Sequence, residues 1–193
     1  TLKQILSTRN FNFTKEQYET EILFVGGSTN LSYNGTNFSG DLSGITTGTQ
    51  PRWFQNFTLP GPEIRSIENW EKKLDAIVKN AKNWDVGFIC GVPAWIQIVF
   101  ERIIKYYNVK NINDIWPNLS VYVHGGVAIH PYKESINNLC AKPLIYLDTY
   151  LASEGFIAYQ ERPNDEQAMK LITDNKMFLE FVPFNEDNFD LEG

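Results

Sequence analysis

Val86-Gly87-Phe88-Ile89-Cys90-Gly91, followed by Val92-Pro93-Ala94-Trp95, is the stretch that decides how this chain folds. The first six residues form a short apolar run closed by glycine, the pattern of a strand buried on both faces. Pro93 then stands where a first helical residue is wanted, because a helix start leaves its N–H groups without intrahelical partners and proline lacks one. From Ala94 to Tyr107 the chain is apolar nearly all round, which predicts a helix enclosed by the rest of a domain. Strand, glycine and helix in that order make half of a βαβ unit.

The neighbouring segments complete the unit. Upstream, Ile67, Trp70, Leu74, Ile77, Val78 and Ala81 recur at helical spacing and predict a helix through about Trp84. Ser66 is its expected cap, with Asn69 where a full capping box wants Glu or Gln. Downstream, strands are predicted at Leu119 to Val123 and Leu144 to Thr149, separated by a helix from Pro131 to Cys140. Glu21 to Val25 is a shorter run of β character that ends in Gly26-Gly27. Beyond Gly155, the segments Phe156 to Tyr159, Met169 to Ile172 and Phe178 to Val182 read as antiparallel strands before an acidic tail. The expected fold class is therefore α/β, a parallel βαβ sheet core followed by antiparallel strands. Thr1 to Ser7 is expected to be helical. Residues Ser28 to Pro62 read as a long Gly-, Ser- and Asn-rich connection with room for a short strand around Arg52 to Phe57. No internal repeat or domain boundary stands out.

The 193 residues give room for one good core. Hydrophobic content of 42% and charged content of 21% are those of a globular protein, and a net charge of −6 argues against nucleic acid or an anionic membrane as partner. No apolar run is long enough to span a membrane. Cys90 and Cys140 stand far apart in apolar surroundings and read as reduced core residues, so the six Asn-x-Ser/Thr triplets, at Asn12, Asn30, Asn34, Asn37, Asn56 and Asn118, are taken as chance matches and the compartment as cytoplasm.

Ligands of open parallel sheets bind beyond the carboxyl ends of the strands. Three such ends are marked here, by Gly91, by Gly125-Gly126, and by Tyr150-Leu151-Ala152-Ser153-Glu154-Gly155. The last presents an aromatic ring, a hydroxyl and a carboxylate, which suit a base, a phosphate oxygen and a hydrated Mg²⁺ respectively. Each has a plainer reading, as a core ring, a turn serine and a solvated carboxylate. His124 and His130 are too few for a metal site and read as core or surface residues. Gly40-Asp41-Leu42-Ser43-Gly44 lacks the surroundings of a nucleophile elbow. Thr46-Thr47-Gly48-Thr49 lacks the lysine of a phosphate loop.

Taken in order, Asn37 to Ile45, Gly91 to Trp95, Phe100 to Ile103, Trp116 to Leu119, His124 to Val127 and Thr149 to Gly155 resemble the GH3 (auxin-responsive promoter) family of acyl-acid amido synthetases. That family lies within the adenylate-forming superfamily of acyl-CoA synthetases and luciferases. The resemblance runs from about Ser28 to the end of the chain. It implies a cytoplasmic ligase that uses ATP and Mg²⁺ to activate a carboxylic acid as its acyl-adenylate and then joins it to an amine or amino acid. It also implies roles: Tyr150 stacks on adenine, Gly125, Gly126, Val127 and Ala152 line the nucleotide and acyl pocket, Ser153 contacts phosphate, and Glu154 holds Mg²⁺. Ser153 and Glu154 are then the expected catalytic pair. Leu151 stands where plant members have alanine.

The family's first motif, a phosphate loop, belongs before Thr1, and its ribose-binding motif and small mobile domain belong after Gly193. Residues 1–193 are thus expected to be part of a large domain and to be inactive alone. A non-catalytic module that binds a nucleotide or acyl ligand, and a thioester-forming acyl-CoA ligase, are the alternative readings.

Overall fold

Strand β5 (Val86–Gly91) and helix α5 (Pro93–Tyr107) form as the sequence predicts, with Pro93 in the first turn. The helix ends on Asn108, whose left-handed backbone (φ 53°) lets its N–H close on the Ile104 carbonyl. These elements belong to a computed structural model that describes residues 14–30, 32–40, 44–45, 52–153, 155–162, 169–174 and 177–181. The expected helix at Thr1 to Ser7, the Thr46 to Thr49 loop and the acidic tail lie outside the described residues.

The remaining elements, in chain order, are α1 (Lys15–Glu19), β1 (Glu21–Val25), the paired β2 (Ser32–Tyr33) and β3 (Phe38–Ser39), α2 (Arg52–Gln55), β4 (Thr58–Leu59), α3 (Pro62–Arg65) and α4 (Trp70–Asn80). After β5 and α5 come β6 (Val121–Gly125), α6 (His130–Asn138), β7 (Ile145–Ala152), β8 (Gly155–Tyr159) and β9 (Lys170–Leu171). One seven-stranded sheet runs β4-β1-β5-β6-β7-β8-β9. Its first five strands are parallel, and β8 and β9 are antiparallel additions. The chain is α/β with a mostly parallel mixed sheet, as expected.

Three helices share one face of that sheet. Ile77 and Val78 of α4, Ile96, Phe100 and Ile103 of α5 and Ile136 of α6 join Leu23, Ile89, Tyr122 and Tyr146 in one buried cluster. Alternation along the strands sends Phe88, Val121, Val123, Ile145 and Leu147 to the opposite face, where they form a second, smaller cluster. Trp116 is fully buried beneath the helices and donates its indole N–H to the Ala81 carbonyl at 2.8 Å, so the bulkiest core ring has its polar atom satisfied.

Several boundaries differ from expectation. Asn69, not Ser66, caps α4, accepting from the Lys72 N–H; Ser66 instead closes α3, its hydroxyl donating to the Glu63 carbonyl. Residues 52–55 form a helical turn, and the strand follows at Thr58, where β1 offers its free edge. Strand β6 begins two residues late because Leu119 still bonds back to Trp116. Strand β7 runs three residues past Thr149 because β8 supplies a partner there. Phe178 and Phe181 are exposed and in no strand; Val182 lies outside the described residues.

The Arg65 charge is buried without a counter-ion among the described residues. Arg65 is 9% exposed; its Nη2 donates to Thr58 Oγ1 at 3.5 Å and its Nε has no partner among the described residues. Burial lowers its pKa.

Candidate functional site

The parallel strands bring their carboxyl ends to one edge of the sheet. Cross-strand pairs Val25↔Gly91 and Gly125↔Thr149 mark that edge, and the chain leaves it through Gly26-Gly27, Val92, Gly126-Val127 and Tyr150 to Ser153.

At β6 and β7 the glycines are there for two different reasons. A Cβ on Gly125 would lie 2.3 Å from the Thr149 carbonyl oxygen, so the two strands meet only because position 125 has no side chain. Gly126 has room around it but turns with φ +82°, a conformation that costs an L-residue free energy. Beside this turn Tyr150 is 52% exposed and Val127 47%. Tyr150 is therefore a ring open to solvent, one residue past the last β6–β7 pair, and not a core residue. Ala152 is half-buried in the last pair of the β7–β8 hairpin, Ala152↔Gly155, and exposed Ser153 begins the turn. Gly125, Gly126, Val127 and Tyr150 thus adjoin where the β6–β7 pairing ends, while Ala152 and Ser153 lie farther out along the β7–β8 hairpin. Glu154, expected to hold Mg²⁺, lies outside the described residues.

Polar groups beneath that edge tie the strands to one another. His124 is 3% exposed, and its Nδ1 faces Asp148 Oδ1 at 3.3 Å from the residue directly opposite in β7. The histidine is a core residue, as expected, with Tyr122 and Tyr146 rings at 5.5 and 6.0 Å. Thr149 Oγ1 donates to the His124 carbonyl at 2.8 Å. Tyr122 donates its phenol hydrogen to the Gly91 carbonyl at 3.0 Å, which ties β6 to the end of β5. Burial, with Tyr146 and Cys90 nearby, pushes the Tyr122 phenol well above its ordinary range, so it remains a donor. Cys90 and Cys140 are free thiols, raised by burial to about 12 and about 11.

A second feature of the same edge was not foreseen. The chain leaves β1 in one direction, toward β4, and leaves β5 in the other, toward β6. The crevice of an open sheet lies where strand order reverses, here between the ends of β1 and β5. A cavity of about 490 Å³ opens there, lined by Gly26, Gly27, Ser32, Ser39, Trp70 and Trp95 among others. Lys73, 4% exposed, reaches up from α4 and donates to the carbonyls of Gly26 and Gly27 at 3.3 and 2.8 Å, fixing the loop that leaves β1. The Trp70 and Trp95 rings lie 4.8 Å apart, tilted by 33°, bridging α4 and α5.

No protein-family model matches the chain, and no curated protein matches it in sequence. Its chemistry has to be argued from the residues themselves.

The fit of those residues to a nucleotide is partial. An exposed ring beside two glycines with no intervening side chain suits a base, and exposed Ser153 can donate to an anion. No group of three or more His, Cys, Asp and Glu side chains that could hold a metal ion gathers among the described residues. Magnesium needs only one or two protein carboxylates when phosphates supply the rest, which leaves Glu154 as the residue to test. No helix among the described residues is long and apolar enough to cross a membrane.

Proposed function

We propose that the chain is part of the large domain of an ATP-dependent ligase of the GH3 acyl-acid amido synthetase type, within the adenylate-forming superfamily. What supports this reading most is one juxtaposition: the solvent-open ring of Tyr150 follows the last β6–β7 pair, beside the Gly125-Gly126 turn. A base needs a flat, accessible face and close approach to backbone, and both are offered together. The order of the sequence motifs supplies the rest of the argument.

In the proposed reaction a carboxylate oxygen of the acid attacks the α-phosphorus of ATP, and pyrophosphate leaves. The acyl-adenylate carbonyl is then attacked by an amine, the C–O bond to AMP breaks, and an amide forms as the nitrogen loses a proton. Mg²⁺, held in part by Glu154, would offset the repulsion between carboxylate and triphosphate. Tyr150 would orient the nucleotide, Ser153 would donate to a phosphate oxygen, and Gly125, Gly126, Val127 and Ala152 would shape the floor. A site so arranged works by positioning and charge stabilisation, with no nucleophile of its own. The phosphate loop and ribose contact would come from sequence flanking these 193 residues.

The test is acid-dependent exchange of labelled pyrophosphate into ATP, run on the protein carrying this chain with its flanking sequence. Exchange that requires an added carboxylic acid, and that loses about tenfold in kcat/KM for ATP in Tyr150→Ala, is the expected result. No exchange with any acid of a broad library would favour a binding module instead. Product formed with coenzyme A but with no amine would favour the thioester-forming ligase.

A further inference from the structure

The crevice between β1 and β5 has walls of a particular kind. Its apolar surface comes from two indoles, Trp70 and Trp95, both half-buried and packed from behind on the main core, so their positions are fixed. Its polar surface comes from the Asn30 amide, the Ser32 and Ser39 hydroxyls and the Glu68 carboxylate. Among the described lining residues no aliphatic side chain is present. A long acyl chain would find little apolar wall there, and it would strip water from hydroxyl, amide and carboxylate groups without replacing their hydrogen bonds.

The polar groups are arranged as a rim. Asn30 Nδ2 donates to Glu68 Oε1 at 2.5 Å, and the other Glu68 oxygen has no hydrogen bond among the described residues. The Ser32 and Ser39 hydroxyls share a 2.7 Å hydrogen bond across the β2–β3 ladder, which carries them as a pair. Among the described lining residues the charges are one cation, Lys73, which donates to the carbonyls of the β1 exit, and one anion, Glu68. They set no strong preference for a charged ligand. The negative face of an indole attracts the weakly positive C–H face of a saturated ring. Hydroxyls around the ring's edge both donate and accept, as the rim requires. The volume of about 490 Å³ falls in the range of small-molecule pockets and has room for one such ring with its substituents.

We infer that the β1–β5 crevice, with Trp70 and Trp95 as its platform and Glu68, Asn30, Ser32 and Ser39 as its rim, binds a polyhydroxylated ring. Such a ring comes either from a free saccharide or from the ribose of a nucleoside. This inference goes beyond the ligase reading and does not depend on it, because it uses none of the residues at the ends of β6 and β7.

Tryptophan fluorescence and saturation-transfer NMR on the protein carrying this chain with its flanking sequence test it, with methyl glycosides of glucose, galactose and mannose, with D-ribose and adenosine, and with benzoate and octanoate as contrasts. A saturable response to at least one hydroxylated probe is expected, weakened about tenfold by Trp70→Ala and by Glu68→Gln. Glu68 is exposed, so Glu68→Gln decides the matter even where Trp70→Ala fails to fold. Competition between adenosine and ribose identifies a nucleoside as the source, and a methyl glycoside alone identifies a saccharide; either supports the inference. No response to any hydroxylated probe, saturation by benzoate or octanoate instead, or a response indifferent to Glu68→Gln would overturn it. Failure of pyrophosphate exchange would leave this result untouched.

Discussion

Gly125→Ala is the sharpest test of how the ends of β6 and β7 are built. The added Cβ would lie 2.3 Å from the Thr149 carbonyl oxygen and 2.8 Å from Thr149 Oγ1, where ordinary contact begins at 3.4 Å. The obstacle is backbone, so no rotamer change relieves it, and the strands must part by roughly 1 Å. Overpacking of this kind costs about 2–3 kcal/mol. For a chain of this size that is a fall of about 4–12 °C in Tm. Gly126→Ala is the matched control. Its Cβ meets only Val92 Cγ2, at 3.9 Å, so its cost is conformational, roughly 1 kcal/mol or a little more for the positive φ. Thermal unfolding followed by circular dichroism on both variants and on Gly125→Ala/Thr149→Ala compares the two causes. The double variant should recover little, because the carbonyl remains after the hydroxyl is gone. The reasoning fails if Gly126→Ala is the more damaging of the two, or if Thr149→Ala restores the Gly125→Ala protein.

Two further outcomes follow from buried polar atoms. Arg65→Met should leave Tm unchanged or raise it by a few degrees, because the guanidinium is buried with one long hydrogen bond while its stem can be mimicked by thioether; a clear fall in Tm would show that the charge has a stabilising role. The Cys90 thiol, raised by burial from 9.0 to about 12, stays protonated in the fold when the unfolded chain has already lost its proton. Its contribution is therefore complete below pH 9 and lost as pH rises from 9 toward 12. Urea titrations should show Cys90→Ala losing less stability than the parent over that window, and equal losses would refute the assignment.

Much of the sheet was legible because its central strands are long and apolar and its helices carry full stripes. Pro93 and the glycine that ends β5 marked their junction without ambiguity. The reversal of strand order was not legible. It depends on β4, whose two residues, Thr58 and Leu59, gain strand geometry only by pairing with Ile22 and Leu23. Without β4 the Gly26-Gly27 exit reads as an ordinary turn, and Lys73 and Trp70 read as one charged and one core position of α4. The tilted pair Trp70–Trp95 joins two helices, so no local pattern reveals it. At the other strand ends the residues were found because they are contiguous, Gly125 to Val127 and Tyr150 to Ser153. The extension of β7 to Ala152 escaped because exposed Tyr150 and Leu151 look like loop until β8 supplies their partners.

The hydrogen bond from Tyr122 to the Gly91 carbonyl has one more consequence. A phenol held this far above its usual range does not ionise while the protein is folded, so the latch between β6 and β5 is indifferent to acidity. The same strand edge therefore keeps one pH-blind fastening, which holds the end of β5 to β6 beneath the glycines.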